Sequence, residues 1–201
     1  MSIIRTFGPA MAAVVVFVGA GCGEKITRFE ITNYRTAGET EFFHETFDEC
    51  FFAKGPDGNV DVVARRRIPA DGENERLTQL VHLRTVFRAV PGTTPADQTM
   101  INGIVAYAIV GEHGGVCFEG AGFVSCADRK DGALLVGELE QAKLRAHRRR
   151  GRVGEIFEAA VLAGPFRATR DRKRVISLLN ELSSFFGPHP HYQPTPRQDP
   201  I

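Results

Sequence analysis

The alternation of short apolar segments with turns is the feature that most constrains the fold of this chain. Apolar and polar residues alternate over 80–90, as in a strand with one buried face, whereas 100–110 is apolar on both faces, as in a central strand of a covered sheet. The turn sequence GPDGN at 55–59 joins two further strand-like segments and predicts a hairpin that carries Cys50. These segments predict a mainly β domain, an antiparallel sandwich or a curled sheet.

One segment near the C-terminus has the spacing of a helix. An apolar stripe runs over 171–186, and Gly187 and Pro188 follow it as stop signals. The fold class is therefore mainly β with one C-terminal amphipathic helix. The predicted domains are a signal segment at 1–21, a single β-rich domain at 22–187 and a proline-rich tail at 188–201.

Two other parts of the chain are harder to interpret. The segment 134–147 has apolar residues at helical spacing and also alternation typical of a strand, and we favour a long strand pair, 133–147 with 153–168. The segment from Gly23 to Thr46 predicts an opening strand around Phe29 followed by a loop.

The first 22 residues have the pattern of an export signal. Arg5 is the only charged residue before Cys22, an apolar run covers 10–18, and three small residues directly precede the cysteine. The apolar run is too short for a membrane-spanning helix, which needs about 20 such residues.

With a cysteine at its exit, this segment resembles a bacterial lipoprotein signal, and Ala20, Gly21 and Cys22 match the end of the lipobox. The resemblance implies cleavage before Cys22, acylation of Cys22 and residence in the cell envelope, anchored to a membrane and facing the periplasm or the exterior. A secretory signal that is cleaved without lipidation is the alternative.

Three cysteines remain after Cys22, and an exported protein is expected to pair two of them. A turn at 121–122 would place Cys117 opposite Cys126, while pairings of Cys50 with either of them stay open. The same cysteines with His113 form a zinc-type ligand set, which we disfavour because their spacing matches no common zinc motif. No cofactor is predicted.

Charge is balanced overall and uneven locally. A net charge of +1 gives no reason to expect nucleic-acid binding. One basic segment is a candidate surface for an envelope protein, an anionic polymer or lipid, or simply for solvent: Lys143, Arg145, Arg148, Arg149, Arg150 and Arg152.

The chain lacks a phosphate loop, a dinucleotide fingerprint, a nucleophile elbow and a zinc-protease helix, and we assign no catalytic residue. The sequence favours a lipid-anchored, non-enzymatic binding or structural module. One alternative is an envelope enzyme, such as a hydrolase, that uses the acid and histidine cluster His44, Glu45, Asp48 and Glu49. Another is a carrier of a small ligand or metal.

Overall fold

The part of the chain that the structure describes is mainly β, with a single helix at its C-terminal end. A computed structural model describes residues 26–35, 38–56, 58–69, 76–87, 101–152 and 156–188. The signal segment, Cys22 and the tail beyond 188 lie outside these residues. Within them, the elements are β1 (Thr27–Tyr34), β2 (Thr40–Phe47), β3 (Glu49–Lys54), β4 (Val60–Ile68), β5 (Leu77–Thr85), β6 (Gly103–Val110), β7 (Gly114–Arg129), β8 (Leu134–Gly151), β9 (Ala159–Arg170) and α1 (Arg172–Phe186).

All nine strands of the described residues belong to one sheet, in the order β2-β1-β9-β3-β4-β5-β6-β7-β8. Because β9 also pairs with β8, strands β3 to β9 form a closed ring. The ring closes where the end of β9 runs parallel to β3, with Phe51 beside Thr169. The earlier part of β9 pairs instead with β1, so the β1–β2 hairpin is added at that side. The sheet is therefore curled into a ring, and the strands do not divide into the two sheets of a sandwich.

The inner face of the ring is the main core. Alternate residues of every strand point into it, and the largest are aromatic: Phe29, Phe52, Tyr107, Phe118 and Phe166, each at most 1% exposed. Strand alternation thus places a continuous apolar surface on one side of the sheet. Burying this surface provides the main driving force for closing the ring.

The outer face of β3–β7 carries a second, smaller core beneath α1. Val175, Leu178, Leu179 and Leu182 pack there against apolar outward-facing side chains that include Leu80. The helix begins where Asp171 accepts a hydrogen bond from the Arg174 N–H at 3.0 Å, an N-cap that satisfies one of the first free N–H groups.

An ion-pair network centred on the buried Arg65 fixes the helix to the sheet. Arg65 on β4 is 6% exposed and donates to the Glu49 carboxylate at 2.6 and 2.9 Å. The same guanidinium lies 3.5 Å from Glu181, and Arg174 of the helix reaches the other oxygen of Glu49 at 3.4 Å. These contacts join β3, β4 and α1.

Several sequence predictions are confirmed. The turn at 55–59 joins β3 and β4 as an antiparallel pair, and β6 is buried on both faces. The ambiguous segment is strand β8, which pairs with β9 from Leu134 opposite Thr169. The helix occupies the expected residues.

Other predictions need correction. The segment expected to be a loop before Thr46 contains the strand β2, whose pattern is hidden because most of its residues are exposed or half-exposed. The turn predicted at 121–122 is wrong, since β7 is one strand of 16 residues. The alternation over 80–90 predicts one polar, solvent-facing side, but His82 on that side is 2% exposed because both faces of β5 are covered.

Candidate functional site: a cleft beside the first strand

The acid and histidine cluster proposed for an enzyme is dispersed by the fold. His44 points outward from β2 and is paired with Glu30 at 3.6 Å, while the next residue, Glu45, is directed inward and is ion-paired with Arg66. Glu49 is held by the arginines already described, and Asp48 accepts a hydrogen bond from the Arg67 N–H at 3.4 Å. Each charged group thus has a different partner, and the cluster does not form a shared acid–base site.

Cys50, Cys117 and Cys126 form no disulfide with one another in the structure. Cys117 is buried in the outer core beneath α1, whereas Cys50 and Cys126 pack against the inner core. Cys117 and Cys126 are nine residues apart on one extended strand, about 30 Å at the usual rise per residue. The fold therefore does not bring them within disulfide reach.

The cysteine and histidine set proposed for zinc is likewise not assembled. His113 is exposed in the turn before β7, whereas Cys117 is buried in the outer core and Cys50 and Cys126 pack against the inner core. Within the described ranges, no three His, Cys, Asp or Glu side chains come together as a metal-binding group. Burial raises the pKa of the Cys50 thiol to about 12, so that this group stays protonated at neutral pH.

Two members of the basic run have a structural role. The Arg150 guanidinium donates to the carbonyls of Ser184 and Phe185, and Arg148 donates to the carbonyls of Phe186 and Gly187. These are acceptors at the C-terminal end of α1, where a positive charge also interacts favourably with the helix dipole. The other members are exposed: Lys143, Arg145, Arg149 and Arg152.

The inner face contains a small polar group that the sequence did not indicate. Arg66 pairs with Glu45 and lies opposite Gln79 in the β4–β5 register. Gln79 is 6% exposed, and its Oε1 has no hydrogen-bond partner among the described residues. Nearby, burial raises the pKa of Tyr107 while the charge of Arg66 opposes that shift. Gln79 is thus buried at the inner face, whereas Arg66 and Glu45 are partly exposed.

The candidate site with an unpartnered cationic group is a cleft of about 480 Å³ on the outside of the domain, which we call the β1 cleft. It is lined by Thr27 at the start of β1, by residues 47–51 at the β2–β3 junction, and by Arg167 and Thr169 of β9. Lys130 in the β7–β8 turn completes it with the adjacent residues Ala133 and Leu134. The cleft exists because the pairing of β9 with β1 ends here and its pairing with β3 begins.

The cationic side chains of the β1 cleft are less fully paired than its acids. The Nε of Arg167 is buried and has no hydrogen-bond partner in the described part of the chain. A hydroxyl–backbone pair fixes the backbone at this position: the Arg167 N–H donates to the Thr27 Oγ1 at 3.1 Å, and that hydroxyl donates to the Arg167 carbonyl at 3.3 Å. A buried donor without an acceptor is unfavourable, so an anionic ligand would stabilise this site.

One further basic residue, Arg170, lies beside the β1 cleft. It is at the end of β9, where its N–H donates to the Ala133 carbonyl at 3.0 Å and its guanidinium approaches the Gly132 turn. Arg172 and Lys173, both exposed, follow at the start of α1, and Arg172 lines a different pocket beside Lys54 and Asp61. Arg170 therefore adds positive charge on the side of the cleft formed by the β7–β8 turn.

No helix among the described residues has the length and apolar character needed to cross a membrane. The chain matches no family model, no curated protein and no solved structure. Its function must therefore be inferred from its own residues.

Proposed function

We propose that this protein is a lipid-anchored module of the bacterial cell envelope that acts by binding, without catalysis. The single observation that carries the proposal is the apolar segment that ends in Ala20, Gly21 and Cys22. Acyl chains on Cys22 would anchor the mature N-terminus, at about 0.8 kcal/mol per buried methylene.

The fold supports this proposal by the position of β1. Thr27 opens that strand only five residues after Cys22, so an anchored chain enters the folded domain almost directly at the membrane. The β1 cleft lies at the same point. A binding surface close to the anchor is what an envelope module of this kind requires.

The enzyme and carrier alternatives have weaker support. The residues proposed for hydrolysis, His44, Glu45, Asp48 and Glu49, are each engaged by a different partner. The inner face, where a carrier would hold an apolar ligand, is occupied by large side chains such as Phe118 and Phe166. Binding at the outer surface suits this architecture better.

Labelling with alkyne palmitate tests the anchor. In bacterial cells that express the full chain, the wild-type protein should incorporate the label and Cys22→Ala should lose it. Cys126→Ala is the matched control, because it removes a cysteine from the folded domain and should leave labelling unchanged. Equal labelling of the wild type and Cys22→Ala would refute the proposed anchor.

A further inference from the structure

We propose that the β1 cleft binds the phosphate-bearing headgroup of a membrane lipid beside the protein's own anchor. This inference rests on the proposed acylation of Cys22 and goes beyond it by assigning a ligand class to a particular site. The residues that carry it are Arg167 and Lys130.

The length of the tether places the cleft close to the headgroups. An extended chain advances at most about 3.6 Å per residue, so Thr27 can lie no more than about 18 Å from an acylated Cys22. Acyl chains buried in the hydrocarbon hold that cysteine at the headgroup layer. Because Thr27 itself lines the β1 cleft, the part of the cleft at Thr27 lies within the same short distance of the acylated cysteine.

The charges of the β1 cleft suit a phosphate. Glu49 is engaged by the Arg65 guanidinium, and Asp48 accepts a backbone N–H, so both acids have partners. Arg167 offers the buried Nε–H described above, and Lys130 lies across the cleft on an exposed turn. A guanidinium matches phosphate oxygens geometrically, and an ammonium adds a compact positive charge.

The remaining lining defines which headgroup is preferred. The Asp48 carboxylate retains acceptor capacity beside the two cations and would accept a hydrogen bond from a hydroxyl of the headgroup. Phe51 and Leu134 provide apolar surface for the start of the acyl chains. We therefore expect phosphatidylglycerol, which has headgroup hydroxyls, to bind more tightly than phosphatidylcholine, which has none.

A neighbouring basic residue strengthens the electrostatic part of this preference. Arg170 lies beside the cleft, where its N–H donates to the lining residue Ala133, and basic residues near a membrane surface are attracted to anionic lipid. Of the earlier basic run, Arg148 and Arg150 lie at the opposite, C-terminal end of the helix. The cleft, rather than that run, is the lipid-facing surface in this proposal.

The test is calorimetric titration of the full chain, purified from membranes in non-ionic detergent, with short-chain dihexanoylphosphatidylglycerol. We expect binding to the wild type that Arg167→Gln weakens at least tenfold and Lys130→Asn at least threefold. Asparagine suits position 130 because Lys130 has a positive φ of 51°. Arg76→Gln removes an exposed charge outside the cleft and should leave affinity unchanged.

The controls distinguish a lipid-headgroup site in the β1 cleft from a site for free phosphate and from the absence of a site. Equal affinity of the wild type and both cleft variants, or no binding by the wild type, would overturn the headgroup site. Inorganic phosphate that binds as tightly as the lipid would show a site for free phosphate and overturn the lipid assignment. If Arg167→Gln fails to fold, Lys130→Asn on the exposed turn still decides the matter.

Failure of the anchor would be recognised separately. It appears as unchanged palmitate labelling of Cys22→Ala, whereas failure of the cleft appears as unchanged lipid affinity of Arg167→Gln. Dihexanoylphosphatidylcholine should bind at least fivefold more weakly than the glycerol lipid, and equal binding of the two would refute the role given to Asp48.

Discussion

Replacing Arg150 by glutamine should destabilise the protein by releasing the end of α1. The Arg150 guanidinium donates to the Phe185 carbonyl at 2.7 Å and to the Ser184 carbonyl at 3.4 Å, and it lies 5.4 Å from the centre of the Phe185 ring. The helix contains no basic residue in its own last turn. Arg150 therefore supplies from β8 the positive charge that many helices carry themselves.

The expected cost follows from these contacts. A hydrogen bond to a charged group contributes about 1.5–3 kcal/mol when buried, an exposed cation–π contact about 0.5–1 kcal/mol, and a charge at a helix terminus about 0.3–1 kcal/mol. Arg150 is exposed, so water replaces part of each contribution. We expect Arg150→Gln to lower the free energy of unfolding by about 1–2 kcal/mol.

Urea unfolding followed by far-UV circular dichroism measures this change. With a denaturant dependence of about 2 kcal/mol/M, the midpoint should fall by about 0.5–1 M. Arg145→Gln is the matched control, since Arg145 is an exposed arginine on the same strand and its loss should cost no more than about 0.5 kcal/mol. Equal midpoints for the two variants would refute the assignment of Arg150 to the helix terminus.

Three further predictions concern the two cores. Leu182 is on the buried face of α1, and Leu182→Ala should lower the free energy of unfolding by about 2–5 kcal/mol in the same urea assay. A loss below about 1 kcal/mol would contradict the packing of α1 against the sheet. Because burial raises the pKa of Cys50 from 9.0 to about 12, this thiol should react with N-ethylmaleimide roughly 1000-fold more slowly at pH 7 than in urea, as mass spectrometry can show. The raised pKa also means that the buried neutral thiol contributes fully to stability below about pH 9, and that this contribution is lost as the pH rises towards 12. Gln79→Leu should raise stability by up to about 1 kcal/mol, because it removes a buried carbonyl oxygen without a partner; thermal unfolding that shows a clear loss would disprove this account of Gln79.

The local sequence pattern correctly predicted the helices and strands that combine a strong periodicity of apolar residues with clear stop signals. The helix carries four buried apolar residues at helical spacing between Asp171 and Gly187. The β3–β4 hairpin has a five-residue turn with proline and glycine, and β6 is apolar on both faces. In each case, short-range chemistry and burial favour the same structure.

The errors arose where long-range contacts decide the structure. Exposed residues such as Phe42 hide the pattern of β2, which becomes a strand because β1 provides its pairing partner. At 121–122, the alanine and glycine resemble a turn, but β6 and β8 flank β7 and keep it extended. Gly122 is required there by close packing, since a side chain would contact the backbone of Ala142.

The candidate site was not predictable because it joins distant parts of the chain. Thr27 and Arg167 are separated by 140 residues and meet only because β9 pairs first with β1 and then with β3. Lys130 reaches the cleft through the β7–β8 turn. The sequence did reveal an excess of basic residues between 143 and 174, but it could not show that Arg148 and Arg150 cap a helix while Arg167 lines a cleft.

Intact mass spectrometry of the protein purified from its native membrane fraction tests the central claim most directly. We predict a mass equal to residues 22–201 plus a lipid modification with acyl chains, and fragment ions that place the added mass on Cys22. A mature chain without added mass would show secretion without an anchor. An unmodified full-length chain would contradict both the export signal and the envelope assignment.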